Sequence, residues 1–382
     1  MALSKIDVAK ILTGLVPNDN TIRRPNAKPL IINGNMAVAQ KATSVTSLTS
    51  SGAVQTVDRI KNEISNIGTY TVIQESLSSG EAYNNGFRKA WRIDCTSADA
   101  SPAAGDNLYV TYHFEGQDLQ LFKKGTSNAQ KFTLAFWIKS NKTGTGQVNL
   151  RDNDNSRLIG GTYTISSADT WEHKVVNFAA DTTGAFDNDN AGSMDIEWWL
   201  DSGTTYSSGA TPTAWEAFSQ ADRNASGNLQ IARNTANDWA ITGIQLEVGE
   251  FSSTTLPPFQ FEDFGDNKNR CLRYYYRLNP DADAQASIGE ASYYSSSAAF
   301  CCLEFPIAMR DSPSLEQTTG TDYFNLNRNS ANDSFDTFNN LNASDHTSAQ
   351  LYISSGISGT AGHGARCRFN DASARLAFSA EL

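Results

Sequence analysis

The sequence predicts an all-β protein. The expected architecture is an antiparallel jelly-roll β-sandwich followed by a smaller C-terminal β-sandwich domain, with a short N-terminal helix and an extended arm. Three observations carry this. Between Phe132 and Leu200, successive pieces alternate apolar and polar residues, as a strand does with one face in a core and the other in water. Such segments recur along the chain between Gly, Asn, Asp and Ser turns, and no intervening stretch is long enough for a helical crossover between parallel strands. Composition agrees: of the 382 residues, 39% are hydrophobic and 10% aromatic, enough to fill cores, while only 19% are charged. The Leu, Glu and Lys that build helices are scarce.

Taken in order, Ser4-Lys5-Ile6-Asp7 has the pattern of a helix N-cap with an acid three residues on. Leu3, Ile6, Ile11, Leu12 and Leu15 give a short helix one apolar side, and Pro17 ends it. Thr21 to Pro29 is proline-bounded and basic, an extended connector. A helix this short is marginal alone. Residues 1–29 therefore either pack on the first domain or anchor the chain to another protein or to copies of itself.

Leu30 to Met36 opens the first β domain with an Asn33-Gly34 turn. Val54 to Ile64 and Thr69 to Gln74 continue as short strands. Ala90 to Cys95 places Trp91, Ile93 and Cys95 on one side. Asn107 to Phe114 does the same with Leu108, Val110, Tyr112 and Phe114. Leu119 to Phe122 is a short piece ahead of the central stretch. There, Phe132, Leu134, Phe136 and Ile138 share a face, opposite Thr133, Ala135, Trp137 and Lys139. At its end, Ile196, Trp198 and Leu200 face one way, and Asp195, Glu197 and Trp199 the other. A loop from Ser202 to Pro212, a short helix around Trp215 to Asp222 and a closing strand from Asp238 to Val248 complete a domain over residues 30–256.

Leu256-Pro257-Pro258 marks a change of composition and hence a domain boundary, with a second domain over 257–382. Tyr274 to Tyr276, between Arg273 and Arg277, read as a binding strip or as a first strand alternating its tyrosines. Ser292 to Leu303 and Glu304 to Met309 read as strands, Pro306 limiting the second to an edge. Residues 325–345 are Asn/Asp/Ser-rich and read as loop. Leu351 to Ser354, Ala365 to Phe369 and Ala374 to Leu382 close the domain.

Lys and Arg number 30 against 41 Asp and Glu, a net charge of −11. Such a surface argues against nucleic acid as a partner. No stretch has the length of a membrane helix and no secretory apolar region opens the chain, so the expectation is synthesis in the cytoplasm without membrane insertion. The five cysteines, Cys95, Cys271, Cys301, Cys302 and Cys367, form neither a disulfide framework nor a metal pattern. They are expected to be buried, reduced and structural. His113, His173, His346 and His363 share no spacing, and the common hydrolase, nucleotide and metalloprotease motifs are absent. Asp152 to Asn155 and Asp187 to Asn190 are oxygen-rich but lack the glycine and distal glutamate of a calcium loop, and turn chemistry accounts for them. No metal and no cofactor is expected. Asp195 and Glu197 stand roughly 7 Å apart by strand geometry, a spacing that permits an acid/base pair. Acids are common on such a protein, however, and the pair serves better as acceptors for sugar hydroxyls; no enzymatic activity is expected.

Trp137 and Trp199 each set a large ring among hydrogen-bonding groups, which is informative where a lone exposed leucine is not. They are the expected stacking platforms of a glycan site, with Glu197 as acceptor and with Asn149 and Arg151 from the strand between. Tryptophan is also enriched at interfaces, so packing on a neighbouring subunit is the competing reading.

NGNM at Asn33 to Met36, FTLAFWIKSNKTGTGQVNL at Phe132 to Leu150, TWEHKVVNFAADTT at Thr170 to Thr183 and DWAITGIQLEVGE at Asp238 to Glu250 resemble the carbohydrate-binding jelly-roll modules attached to glycanases. The run from LIINGNMAVAQ through PPFQFEDFGDNKNRCLRYYYRL more closely resembles a family of phage virion proteins, tail fibres or receptor-binding proteins, over about residues 1–310. That resemblance implies a virion protein, a homo-oligomer and most simply a homotrimer. It further implies attachment to other virion proteins through residues 1–30 and contact with host-surface glycan. Glycanase-linked modules often hold calcium through an acid in the closing strand, and Ile241-Thr242-Gly243-Ile244 offers none. A decoration or structural protein without a ligand is the alternative, and a polysaccharide depolymerase the third reading. No heptad run is present, so a fibre of this kind is a short one or a tip.

Overall fold

The computed structural model describes residues 28–382 except 226, 228 and 330. The expected N-terminal helix and most of the arm, residues 1–27, lie outside the described residues. The chain divides into two compact units, one holding Thr43–Phe264 with the residues before Val38, the other Gly265–Leu382 with Val38–Ala42. The boundary expected at Pro257 thus falls at Phe264. The reason is apolar packing: the rings of Phe259 and Phe261 lie 4.9 and 5.0 Å from that of Phe87 in the first unit. Residues 38–42, expected in the first domain, join the second. Within that unit the Gln40 amide donates to the Tyr275 carbonyl at 2.7 Å and Lys41 pairs with Glu316 at 2.9 Å.

Alternation builds the first unit. Its strands are β1 (Ser44–Leu48), β2 (Ser51–Val54), β3 (Lys61–Ser65), β4 (Thr69–Ser76), β5 (Lys89–Ser97), β6 (Asn107–Glu115) and β7 (Phe132–Lys139). They continue as β8 (Gly144–Asp152), β9 (Arg157–Ile165), β10 (Glu172–Phe178), β11 (Gly192–Ser202), β12 (Glu216–Ala217) and β13 (Asp238–Val248). Sheet I has the order β1-β4-β5-β13-β7-β10 and sheet II the order β12-β9-β8-β11-β6-β3-β2. Every strand pair described is antiparallel. The result is an antiparallel β-sandwich of the jelly-roll kind. One core joins Trp91, Ile93, Leu134, Phe136 and Ile138 of sheet I to Leu108, Val110, Leu150, Ile196 and Trp198 of sheet II. Each such side chain contributes about 1.5–3 kcal/mol by leaving water. These are the inward faces read from the sequence.

Some segments differ from expectation. Leu30 to Met36 forms turns, and Val54 to Ile64 is broken between β2 and β3. Leu119 to Phe122 and Gln220 to Asp222 are 3-10 turns, and the expected helix around Trp215 begins as β12. Strand β9 has no alternating signal in the sequence, because Gly160 and Gly161 interrupt its pattern; Gly161 admits Val176, whose Cγ1 would lie 2.4 Å from an added Cβ.

A helix, Phe264–Leu272, leads into the second unit, in a stretch to which the sequence assigned no element. Then follow β14 (Tyr275–Leu278), β15 (Ser287–Tyr293), β16 (Ala299–Glu304), β17 (Ser314–Gln317) and β18 (Phe324–Arg328). The last are β19 (Ala331–Phe335), β20 (Asn340–Ser344), β21 (Ser348–Ile353), β22 (Gly364–Phe369) and β23 (Leu376–Ser379). Sheet III has the order β14-β23-β17, and sheet IV the order β19-β18-β22-β15-β16-β21-β20. Residues 325–345, expected as loop, supply most of β18, all of β19 and all of β20. Their asparagines hide the apolar beat of Phe324, Leu326 and Phe335, all buried in the second core. Glu304 to Met309 is not a strand, and the Ser292 to Leu303 run is cut by the hairpin turn between β15 and β16. Among the described residues no helix is long and apolar enough to cross a membrane.

Buried charge fastens the loops of the first unit. Lys124 is sealed from solvent, its ammonium 2.5 Å from Asp152 and 3.0 Å from Asp181. It also donates to the carbonyls of Thr183 and Gly184 at 3.0 and 2.8 Å. Burial alone would raise the Asp181 carboxyl, but hydrogen bonds from Arg157, the Thr183 amide and Lys124 outweigh it and hold it below the usual range. Removing one partner of such a cluster strands the others, at a cost of about 3–5 kcal/mol. Lys124→Met is therefore expected to lower thermal stability by about that amount; a melting curve superposing on that of the parent would show the cluster to be energetically neutral.

Candidate functional site

The residues expected to form one glycan site lie on different sheets. Asn149 and Arg151 stand on β8 and Glu197 and Trp199 on β11, neighbours in sheet II with Glu197 opposite Asn149. Trp137 stands on β7 in sheet I.

The sheet II group is roofed by the loop that follows β11. Trp199 is 0% exposed, stacked on Tyr109 at 4.5 Å and facing Tyr206 at 5.1 Å. Its indole nitrogen donates to Glu197 at 3.0 Å. The Arg223 guanidinium forks onto Glu197 at 2.6 and 3.0 Å and lies 4.5 Å from the centre of the Trp199 ring. Asn149 donates to the Arg223 carbonyl at 2.7 Å and accepts from Gln147 at 2.7 Å. Burial would lower the Arg223 basicity, but Glu197 outweighs it and raises it. Trp199 thus has no open ring face, which corrects the expectation of a surface platform. Sequence shows only that Trp199 points away from the core; it cannot show that a loop returns to cover it. Arg151 remains half-buried, its guanidinium 4.5 Å from the Phe218 ring centre and 3.7 Å from Glu197. Asp195 is bonded to His113 and to Asn153. Burial acts to raise the Asp195 carboxyl, and the His113 and Asn153 contacts override it and lower it. Both Asp195 and Glu197 are buried, at 6% and 1% exposure, with Asp195 engaged by His113 and Asn153 and Glu197 by Trp199 and Arg223.

Sheet I presents a different outer face. Trp137 is opposite His173 of β10 in register, the rings 5.0 Å apart and tilted by 32°. Both are half-buried and border a cleft of about 420 Å³. Strand β13 forms the floor, where a bulge between Thr242 and Gln245 brings Gly243 beneath the rings. Gly243 has φ +63°, and an added Cβ would lie 2.6 Å from Phe87 and 2.9 Å from Trp137. Glycine is required there on both counts. Phe259 and Phe261 form a wall, with Phe261 still 48% exposed. Gln245 is held within the cleft by bonds to Glu247 at 2.9 Å and to the Pro257 carbonyl at 3.0 Å. Burial, then the neighbouring Lys174, lowers the His173 imidazole, so the ring is neutral at pH 7.

Further along the same face Arg92 pairs with Asp94 at 2.7 Å and Asp238 at 2.9 Å, and Lys139 with Glu75 at 3.5 Å. Burial raises the Asp94 carboxyl, with Arg92 opposing. Such a face combines ring surface with fixed hydrogen-bonding groups, the means to hold a molecule with both apolar C–H faces and hydroxyls. Sequence reasoning found Trp137 but missed Phe87, His173, Gln245 and Phe261. The alternating Phe259-Gln260-Phe261 after two prolines was the available signal, and it read as the start of the second domain.

Among the described residues no group of three or more His, Cys, Asp or Glu is placed to hold a metal ion. All the cysteines are free; Cys302 is exposed, contrary to expectation, because it lies on the outward phase of β16.

No protein-family model matches the sequence, and no curated protein is similar to it. Solved structures are. One is the enzymatically active domain of tailspike protein 4 of bacteriophage CBA120, at 10% identity and TM-score 0.29, matched over 58% of this chain. The match spans 21% of that tailspike chain. A second is a putative sugar binding protein from Bacteroides thetaiotaomicron, at 13% identity and TM-score 0.30, over 58% of this chain and 100% of that one. A third is the family 11 carbohydrate-binding module of a cellulosomal cellulase of Clostridium thermocellum, at 10% identity and TM-score 0.27, over 55% of this chain and 98% of that one.

The seating of the rings on β13 is testable. Gly243→Ala introduces both a left-handed backbone penalty and a clash, and is expected to cost about 1–3 kcal/mol in denaturant unfolding. An unchanged midpoint would mean that Phe87 and Trp137 do not rest on that backbone.

Proposed function

We propose that this chain is a non-enzymatic carbohydrate-binding virion protein, a short tail fibre or receptor-binding subunit of a phage, which meets glycans on the host surface through the Trp137 cleft. The observation that carries the binding half is the half-open Trp137 ring. It sits beside a neutral imidazole and an anchored amide in a cleft on an outer sheet face. Of the residues first expected, Trp137 is the stacking platform and Arg151 remains partly accessible. Asn149, Glu197 and Trp199 act from beneath, by holding the loop that carries Arg223.

The virion half rests on the resemblance of residues 1–310 to phage tail-fibre proteins. On this reading the chain is made in the host cytoplasm and assembles as a homotrimer. Residues 1–30 attach it to other virion proteins, and nucleic acid and membrane are not its partners. The acidic balance of −11 supports the exclusion of nucleic acid.

Two measurements test it. Trp137→Ala is expected to weaken binding to host cells or their purified glycans about tenfold or more, the scale of a hot-spot truncation, with little change in melting temperature. Undiminished binding would remove Trp137 from the site. Light scattering on the purified protein is expected to give the mass of a trimer; a monomer would favour a decoration subunit instead.

A further inference from the structure

The second unit has an outer face of its own. In sheet IV, Ala291, Tyr293, Ala299, Cys301, Leu351 and Ile353 point into the core. The alternate positions point out. Ser292 of β15, Phe300 of β16, Tyr352 of β21 and Asn340 of β20 are successive partners in register across adjacent strands. Tyr294, at the turn from β15 to β16, is 73% exposed, more than any other large apolar side chain described. Its ring meets Phe300 edge-on at 5.7 Å, and Phe300 lies 5.2 Å from Tyr352. These rings form a continuous row on an uncovered sheet face. Tyr294 is exposed and Phe300 and Tyr352 are half-buried, so the row offers ring surface to a ligand.

The row adjoins a depression. One step along the strands, Cys302, Gln350 and Ala343 are partners in register and help to floor a hollow of about 550 Å³. Glu304, Ser344, Asp345 and Ser348 also line it, and none of its lining residues is cationic. The Asp345 carboxylate is fixed by the amides of Thr347 and Ser348 at 2.6 and 2.8 Å. Gln350 accepts from Asn342 at 2.8 Å.

The chemistry of this face selects its occupant. Carboxylates without a cation repel phosphate, sulfate and uronate groups. An apolar helix would need a continuous groove of aliphatic side chains, and here Glu304, Ser344, Asp345, Ser348 and Gln350 interrupt Leu303, Ala343 and Ala349. A neutral sugar chain presents C–H faces to rings and hydroxyl donors to carboxylates and amides. We propose that the outer face of sheet IV is a second carbohydrate-binding surface, for neutral glycans of at least two sugar units. One unit stacks on the Tyr294–Phe300–Tyr352 row, and the next donates hydroxyls to Gln350, Asp345 and Glu304.

The full chain is tested against immobilised hexaoses of glucose, galactose and mannose, with alginate as the anionic control. Neutral-glycan binding is expected to survive in part in Trp137→Ala. In that background Tyr294→Ala combined with Tyr352→Ala is expected to lower it tenfold or more. Tyr294→Ala alone, at an exposed position, is expected to weaken binding with an unchanged melting temperature, which separates ligand loss from fold loss. Loss of all binding in Trp137→Ala overturns this surface while leaving the Trp137 cleft standing. Loss confined to the tyrosine variants sustains this surface and removes the cleft. The proposal also falls if the tyrosine variants bind every probe as their parents do, or if alginate alone is bound. It falls equally if Tyr294→Ala changes the mass in solution but not glycan binding, which would make the face a contact between copies. A wild-type chain that binds no probe overturns both surfaces.

Discussion

The Arg223–Glu197 ion pair decides which surface of the first unit is open. Two charges removed from water are costly unless their remaining hydrogen-bonding positions are filled. Here the guanidinium forks onto the carboxylate and lies against Trp199, while the carboxylate also accepts from the indole. The backbone of Arg223 is held in turn by Asn149. Together these contacts fasten the loop after β11 over sheet II and convert the outward face of β8 and β11 into a second, polar interior. Polar satisfaction rather than apolar burial is what closes that face. The outer face of sheet I then carries the open cleft of the sandwich.

Sheet I opens for a local reason. The bulge in β13 places a glycine where any other residue would strike Phe87 and Trp137. The rings can therefore lie down on the strand instead of standing off it. The segment after β13 turns back to pack Phe259 and Phe261 on Phe87, which gives the flat sheet a wall. A strand irregularity and a returning tail make a cleft on a surface that would otherwise be a plain pleat. Sheet IV does without such a wall. Its ring row follows from register alone, Phe300 opposite Tyr352 and Tyr294 at the turn beside them.

What the residues reveal unaided is the phase of each strand. Phe132, Leu134, Phe136 and Ile138 must face one way because side chains alternate every residue, and a one-residue slip would expose them all. The same rule places Leu108 to Phe114, Ile196 to Leu200 and Trp91 to Cys95 correctly, and with them the all-β class. It loses sight of β9, where glycines carry no hydrophobic signal, and of β18 to β20, where asparagines between buried Phe324, Leu326 and Phe335 imitate a loop.

Phase also shows that Trp137 and Trp199 leave the core, and there its reach ends. Whether an outward ring meets solvent depends on chain that returns from elsewhere. Trp199 is closed off by Arg223, and Trp137 is bordered by His173 and Phe261 but left open. Which of the strands are neighbours is a long-range matter as well, so the sequence alone could not reveal that Trp137 and Trp199 belong to different sheets. Local alternation determined the fold class and the core, because it needs only a residue and its neighbours along the chain. Tertiary structure decided the site, because exposure is set by contacts between residues far apart in sequence.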